Sequence, residues 1–234
     1  MSSSPLASQA GHDRADSRPS SAAPAPQTIA TSKRLLDLLV ASIALVLLSP
    51  VILVSAVLIK LTSAGPVFFR QTRIGQGEKP FAMLKLRTMY VGLDDSGHRE
   101  FNRRELLGEA DPGTSDGVFK MEHDPRITGI GRFLRRFSID ELPQLLNVLK
   151  GDMSLVGPRP SLPWEVELYS PDQRHRHQCL PGITGLWQVS GRNFLSMREM
   201  LNLDIAYVER QSLLLDLWIL LRTPYAVFFD RSAR

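Results

Sequence analysis

The chain has one cysteine, Cys179, in 234 residues. A single thiol closes no internal disulfide and cannot supply the usual sulfur ligands of structural zinc, so packing must hold the fold. Cys179 reads as a structural thiol in a reducing, cytosol-facing environment. Charge of one sign is also in short supply: 28 Lys and Arg against 24 Asp and Glu leave +4. That excess suits a nucleotide, a phospholipid or a phosphorylated substrate, and it falls short of a nucleic-acid signature. No nucleic-acid partner is expected. Residues 1–32, rich in Ser, Ala and Pro, have almost no large apolar side chains and no periodicity, which predicts a disordered tail. They also lack the basic region and apolar core of a signal peptide.

The largest absence is of charge between Asp37 and Lys60. An apolar run of that length can cross a bilayer, and a spanning helix is one reading. Two features favour another. Ser49 and Pro50 fall near its middle, where proline removes a backbone donor and bends a helix. Basic residues flank both ends, Lys33 and Arg34 before it and Lys60, Arg70 and Arg73 after it, whereas the positive-inside rule would gather them on one side. A helix that enters, turns at Ser49 and Pro50 and returns to the same face satisfies both.

The remaining 174 residues, 61–234, suffice for one domain with a real core. Val67 to Phe69 and Phe81 to Leu86 read as strands around a turn holding Gly75, Gly77 and Pro80, hence a β-hairpin. Lys85 and Arg87 would project from one strand face, as a solvated surface or as phosphate contacts. Residues 94–117 read as a mobile excursion with a short helical piece near Arg99 to Leu107. Arg132, Arg135 and Arg136 concentrate charge just before the most informative stretch, Phe137 to Pro160, FSIDELPQLLNVLKGDMSLVGPRP. There Ser138 reads as an N-cap, Ile139, Leu142, Leu145, Leu146 and Leu149 recur at helical spacing, and Gly151 ends the helix. Asp140 and Glu141 would occupy its first turn. They serve either as the acidic half of a capping box or as catalytic carboxylates.

Further on, Leu162 to Gln178 holds a helix, and His175 and His177 read as surface charge, since a His-x-His without acidic or cysteine partners is a poor metal site. Ser196 to Arg210 reads as another helix. Leu213 to Phe229, interrupted by Asp216, Arg222 and Pro224, is either a core helix or an amphipathic helix in a membrane interface with Trp218 and Tyr225 as anchors.

HDPRITGIGRFLRRFSIDELPQ, GDMSLVGPRP and PGITGLWQVSGRN, in that order and spacing, resemble the bacterial sugar transferase family, the monotopic phosphoglycosyl transferases. The resemblance runs from about Lys33 to Thr223. It implies an α+β fold, predominantly helical with a small β component, with a kinked re-entrant helix at 33–60, interfacial amphipathic helices, and a catalytic domain at 61–234 on the cytoplasmic face of the inner membrane. It implies transfer of a sugar 1-phosphate from a UDP-sugar to undecaprenyl phosphate with release of UMP, through an aspartyl-phosphosugar, with Mg²⁺. On the matching positions, Asp140 becomes the nucleophile, and Glu141 binds Mg²⁺ with it or assists the incoming phosphate. Lys85, Arg87, Arg135, Arg159 and Arg192 offset phosphate charge, while Ser49 and Pro50 mark the helix break. The LWQVSGRN form favours UDP-galactose or UDP-glucose. Leu180 departs from the pattern, which carries a basic residue just before PGITG. Two competitors remain: a glycosyltransferase that moves the sugar alone and releases UDP, and a non-catalytic scaffold in which Asp140 and Glu141 only cap a helix.

Overall fold

The computed structural model describes residues 26–92, 96–107, 109, 124, 126–191 and 195–228. Most of the predicted tail and much of the predicted excursion lie outside these residues. Within the end of that tail, Gln27 is held: its N–H donates to the Gln178 carbonyl, and its own carbonyl accepts from Gln76.

The apolar run forms α1 (Thr31–Thr62), an unbroken helix with Pro50 inside it. Proline has no N–H to give the Val46 carbonyl, the acceptor four residues back. The Ser49 hydroxyl donates to that carbonyl instead, at 2.8 Å. The Ser-Pro pair thus removes a backbone donor and replaces it locally, which a helix in hydrocarbon requires.

Burial along α1 is confined to its ends: Lys33, Asp37 and Ala41 near the start, Ser55 and Ile59 near the finish. Between them Ile43, Val46, Leu47, Val51, Leu53 and Val54 are exposed. At the first end Lys33 reaches the Val156 carbonyl at 3.0 Å and the Asp216 carboxylate at 2.7 Å, and Asp37 accepts from the Leu155 N–H at 3.0 Å. Arg34 donates to the Val148 and Leu149 carbonyls. Lys33 and Arg34 therefore bind the protein itself. At the other end Ile59 packs with Leu86 and Leu134. Both ends dock on one body.

That body starts with the expected hairpin, β1 (Phe68–Ile74) antiparallel to β2 (Pro80–Leu86), in the register Phe68 opposite Leu86 through Ile74 opposite Pro80. Gly77 takes a φ of 63° in the turn, a conformation glycine tolerates. Then come α2 (Ser96–Leu107), α3 (Gly129–Arg136), α4 (Gln144–Lys150) and β3 (Ser154–Val156). The short helices α5 (Pro163–Leu168) and α6 (Pro171–Arg174) lead through a 3₁₀ turn to β4 (Gly182–Thr184), which runs parallel to β3. The chain continues with α7 (Leu186–Val189), α8 (Met197–Arg210) and α9 (Leu213–Phe228). The architecture is α+β, dominated by helix, with two two-stranded sheets among the described residues. The main core joins Met83, Val148, Met153, Val156, Tyr207 and Ile219, with Cys179 among them. Burial pushes the Cys179 thiol up to about 12, so it is unreactive at neutral pH, as a structural thiol should be.

α9 buries Asp216, Ile219 and Ala226 and exposes Leu214, Leu217, Trp218, Leu221, Tyr225 and Phe228. The segment is thus a two-faced helix, one side in the core and the other exposed, and not a wholly buried core helix. An exposed row of large apolar side chains on a folded body marks a contact surface.

Candidate active site

Three sequence expectations change here. The helix expected from Ser138 divides: Ile139–Glu141 form a 3₁₀ turn, and α4 starts only at Gln144. Ser138 adopts φ 54°, ψ 23°, and its side chain accepts no capping hydrogen bond, so the capping box does not form. A left-handed serine costs about 1–3 kcal/mol, the kind of strain retained where side chains must be aimed. Asp140 and Glu141 therefore lie on a separate turn, and Gly151 ends α4 as expected, at φ 93°.

The second change concerns His177, which is buried at 4% exposure with its Nε2 3.0 Å from the Ser161 hydroxyl. Burial and the neighbouring Arg176 and Arg174 hold it down at about 3, so it is a neutral core histidine instead of surface charge. The third is Arg87. Its guanidinium donates to the Ser63 and Ala64 carbonyls and the Ser63 hydroxyl at 2.6–2.8 Å. It fixes the chain as it leaves α1, on a different course from Lys85.

Lys85, Asp140, Glu141 and Arg135 are brought together. Lys85 Nζ donates to Glu141 at 2.7 Å, and both side chains are partly open. Asp140 is 7% exposed. Burial, reinforced by the charge of Glu141 beside it, pushes its carboxyl up to about 6, against the pull of Lys85 and Arg135. Arg135 donates from Nε to the Thr88 hydroxyl at 2.9 Å, and burial lowers its pKa against the opposing charges of Asp140 and Asp124. The site is a recessed carboxylate beside a second carboxylate, held between two cations.

Arg159 stands on the Pro-Arg-Pro loop after β3, 3.3 Å from the fully buried Glu165. Two buried arginines fix this loop: Arg73 donates to the Pro160 carbonyl at 3.0 Å and Arg176 to the Arg159 carbonyl at 2.7 Å. Burial and the like charge of Arg159 lower Arg73 to about 9. Arg192 lies outside the described residues. Leu180 is buried, and its hydrocarbon side chain brings no charge to a phosphate.

Asn147 was missed by sequence reasoning. It sits in α4 at 0% exposure, accepts from the Leu84 N–H at 3.1 Å and donates to the Ala82 carbonyl at 2.8 Å. It completes the free edge of β2 as a neighbouring strand would, and so sets Lys85 opposite Glu141. The available signal was an amide amid Leu145, Leu146, Val148 and Leu149.

Among the described residues no group of three or more His, Cys, Asp or Glu side chains is close enough to hold a metal alone. Mg²⁺ asks for less, taking one or two carboxylates and completing its shell with water and substrate phosphates. Asp140 and Glu141, whose mutual repulsion a cation would relieve, fit that requirement.

A recessed carboxylate beside a second, half-open one, among fixed cations, has the charge pattern that suits a phosphate ligand. The chain belongs to the bacterial sugar transferase family, whose model matches residues 28–230. It is 41% identical over 202 residues to the exopolysaccharide production protein ExoY of Sinorhizobium fredii, covering 86% of this chain and 88% of that one. It is 44% identical over 199 residues to the UDP-glucose:undecaprenyl-phosphate glucose-1-phosphate transferase of Caulobacter vibrioides, covering 82% and 67%. The undecaprenyl-phosphate galactose phosphotransferase of Salmonella typhimurium is 40% identical over 199 residues, covering 83% and 40%.

Proposed function

We propose that this chain transfers a hexose 1-phosphate from a UDP-sugar to undecaprenyl phosphate, as the first membrane step in building a polysaccharide. The observation that carries this reading is Asp140, recessed beside Glu141 and held between Lys85 and Arg135. The names of the relatives supply the class of donor and acceptor, with UDP-glucose and UDP-galactose the favoured donors.

In the first step a carboxylate oxygen of Asp140 attacks the β-phosphorus of the UDP-sugar. A new O–P bond forms, the bond from that phosphorus to the bridging oxygen breaks, and UMP departs with the electron pair. In the second step a phosphate oxygen of the lipid attacks the same phosphorus and expels the Asp140 carboxylate, leaving undecaprenyl diphosphate sugar. Two displacements let a soluble nucleotide and a greasy phosphate use one site in turn. Lys85, Arg135 and Arg159 offset the charge that makes phosphate attack slow, and Thr88 keeps Arg135 aimed. Glu141 orients Lys85 and shares with Asp140 the role of metal ligand. Mg²⁺, when bound, neutralises phosphate charge and polarises the phosphorus centre. Partial burial keeps Asp140 poorly hydrated, and so reactive once ionised.

The same reading puts the domain on the cytoplasmic face of the inner membrane with α1 re-entrant. Docking of both α1 ends on one body supports this, since a spanning helix would carry them to opposite sides. The exposed row on α9 would then lie in the interface.

Purified protein should release UMP from one UDP-sugar in a Mg²⁺-dependent manner. Release of UDP in its place would make this an ordinary glycosyltransferase.

A further inference from the structure

The Pro-Arg-Pro loop is fixed along its backbone. Four consecutive carbonyls each accept a hydrogen bond: Pro158 from the Gly182 N–H, Arg159 from Arg176, Pro160 from Arg73, and Ser161 from the Ile74 N–H. The Arg159 side chain leaves this base 31% exposed. Its Nη1 donates to both carboxylate oxygens of the fully buried Glu165, at 3.3 and 3.5 Å. Its Nε and Nη2 have no partner among the described residues. A guanidinium grips phosphate through two parallel N–H groups, and the contact with Glu165 leaves such a pair open.

We propose that Glu165 is a positioning residue: it anchors Nη1 so that the Nε and Nη2 edge of Arg159 receives the donor phosphate that leaves with UMP. The inference rests on the proposed activity and adds to it a residue that acts through Arg159.

The hairpin decides which phosphate this is. Lys85 lies opposite Phe69, and Phe69 and Arg73 are four residues apart on β1, so Lys85 and Arg73 share one face. Towards one end of that face Lys85 meets Glu141, the neighbour of Asp140. Arg73, about 13 Å further along the strand, holds the loop that carries Arg159. Arg73 also lies within charge range of both Arg159 and Glu141. The reacting β-phosphorus belongs with Asp140 and Lys85, which leaves the α-phosphate to Arg159.

Glu165 has a second task. It accepts from the Leu162 N–H at 2.6 Å, closing the first turn of α5. A glutamine can do the same through its amide oxygen, but it cannot hold Arg159 as an ion pair. One substitution therefore separates the two tasks.

The test is calorimetry of UMP binding to the full chain in detergent with Mg²⁺. Glu165→Gln should weaken UMP about tenfold. Glu165→Asp, which keeps the buried charge but withdraws it by one methylene, should cost about as much and carries the comparison if the glutamine variant does not fold. In an Arg159→Lys background, which keeps the charge but loses the fork, either change should cost less than about twofold. An equal loss in both backgrounds would show that Glu165 acts on the fold alone and would overturn the assignment. So would UMP affinity indifferent to Glu165 or to Arg159→Lys. Binding is read without turnover, so a chain that shows this coupling but transfers no sugar phosphate would sink the proposed activity and keep the positioning role.

Discussion

Two clusters of carboxylates and cations lie in this domain, built from the same residue types and put to opposite uses. In one, Arg176 bonds the Asp204 carboxylate and Lys33 meets Asp216, with both carboxylates at 1% exposure. Tyr207 donates to Asp216 at 2.6 Å. Each of these charges has a direct partner, and the two pairs tie together segments 28 and 183 positions apart. In the other cluster Lys85 bonds Glu141 and Arg135 bonds Thr88, so Asp140 is surrounded by cations whose hydrogen bonds serve neighbours. Enclosed ion pairs hold the fold. A half-open pair beside a recessed carboxylate leaves charge available for a substrate.

That contrast is broken most severely at the nucleophile. Asp140→Ala should lower sugar phosphate transfer by at least about a thousandfold while the protein stays folded, measured as UMP release together with the melting temperature. In the enclosed cluster the expected loss is of fold. Asp216→Ala strands Lys33 in the interior and should cost about 3–5 kcal/mol, whereas the paired change Lys33→Met with Asp216→Leu should restore most of it. Denaturant or thermal unfolding in detergent checks both, and equal instability of single and double variants would show that the buried charge was not the cause.

Asn147→Ala comes next. It leaves a backbone N–H and a carbonyl of β2 without their side-chain partner, which should cost about 2–3 kcal/mol and lower activity by loosening Lys85. Activity lost in proportion to unfolded protein alone would deny Asn147 its aligning role.

The smallest effect depends on pH. The Asp140 carboxyl is raised from 3.8 to about 6 in the fold. Such a group favours the folded state below its unfolded pKa, and that advantage is lost as pH rises through the folded one. Asp140→Asn should therefore raise the melting temperature by a few degrees at pH 7.5 and leave it nearly unchanged at pH 4. An equal gain at both values would assign the effect to packing.

What was legible in the sequence was local. The hairpin followed from short strands around a glycine turn and the end of α4 from Gly151, and α8 lies where a helix was read from Ser196 to Arg210. The apolar helix followed from an absence of charge. Asp140, Glu141, Lys85 and Arg135 were legible as a constellation through motif order, and the fold brings these four together. The illegible part depended on partners far along the chain. Lys33 read as a flanking basic residue because its partner Asp216 is 183 positions away. His177 read as surface because nothing local places Ser161 and Tyr169 around it. Ser138 read as a cap because its residue type favours one, while its left-handed backbone is imposed by the turn that presents Asp140. Arg87 alternates with Lys85 in the pattern, but the strand ends at Leu86 and frees it to hold the exit of α1.

The central claim is that Asp140 carries the phosphosugar between donor and acceptor. Its most direct test is the intact mass of the protein, followed by peptide mapping, after incubation with UDP-sugar and Mg²⁺ in the absence of undecaprenyl phosphate. The account predicts a mass increase of one hexose phosphate on the peptide containing Asp140, absent from Asp140→Asn and discharged when undecaprenyl phosphate is added. Transfer that proceeds at full rate with no such adduct, or with the adduct on another residue, would contradict it.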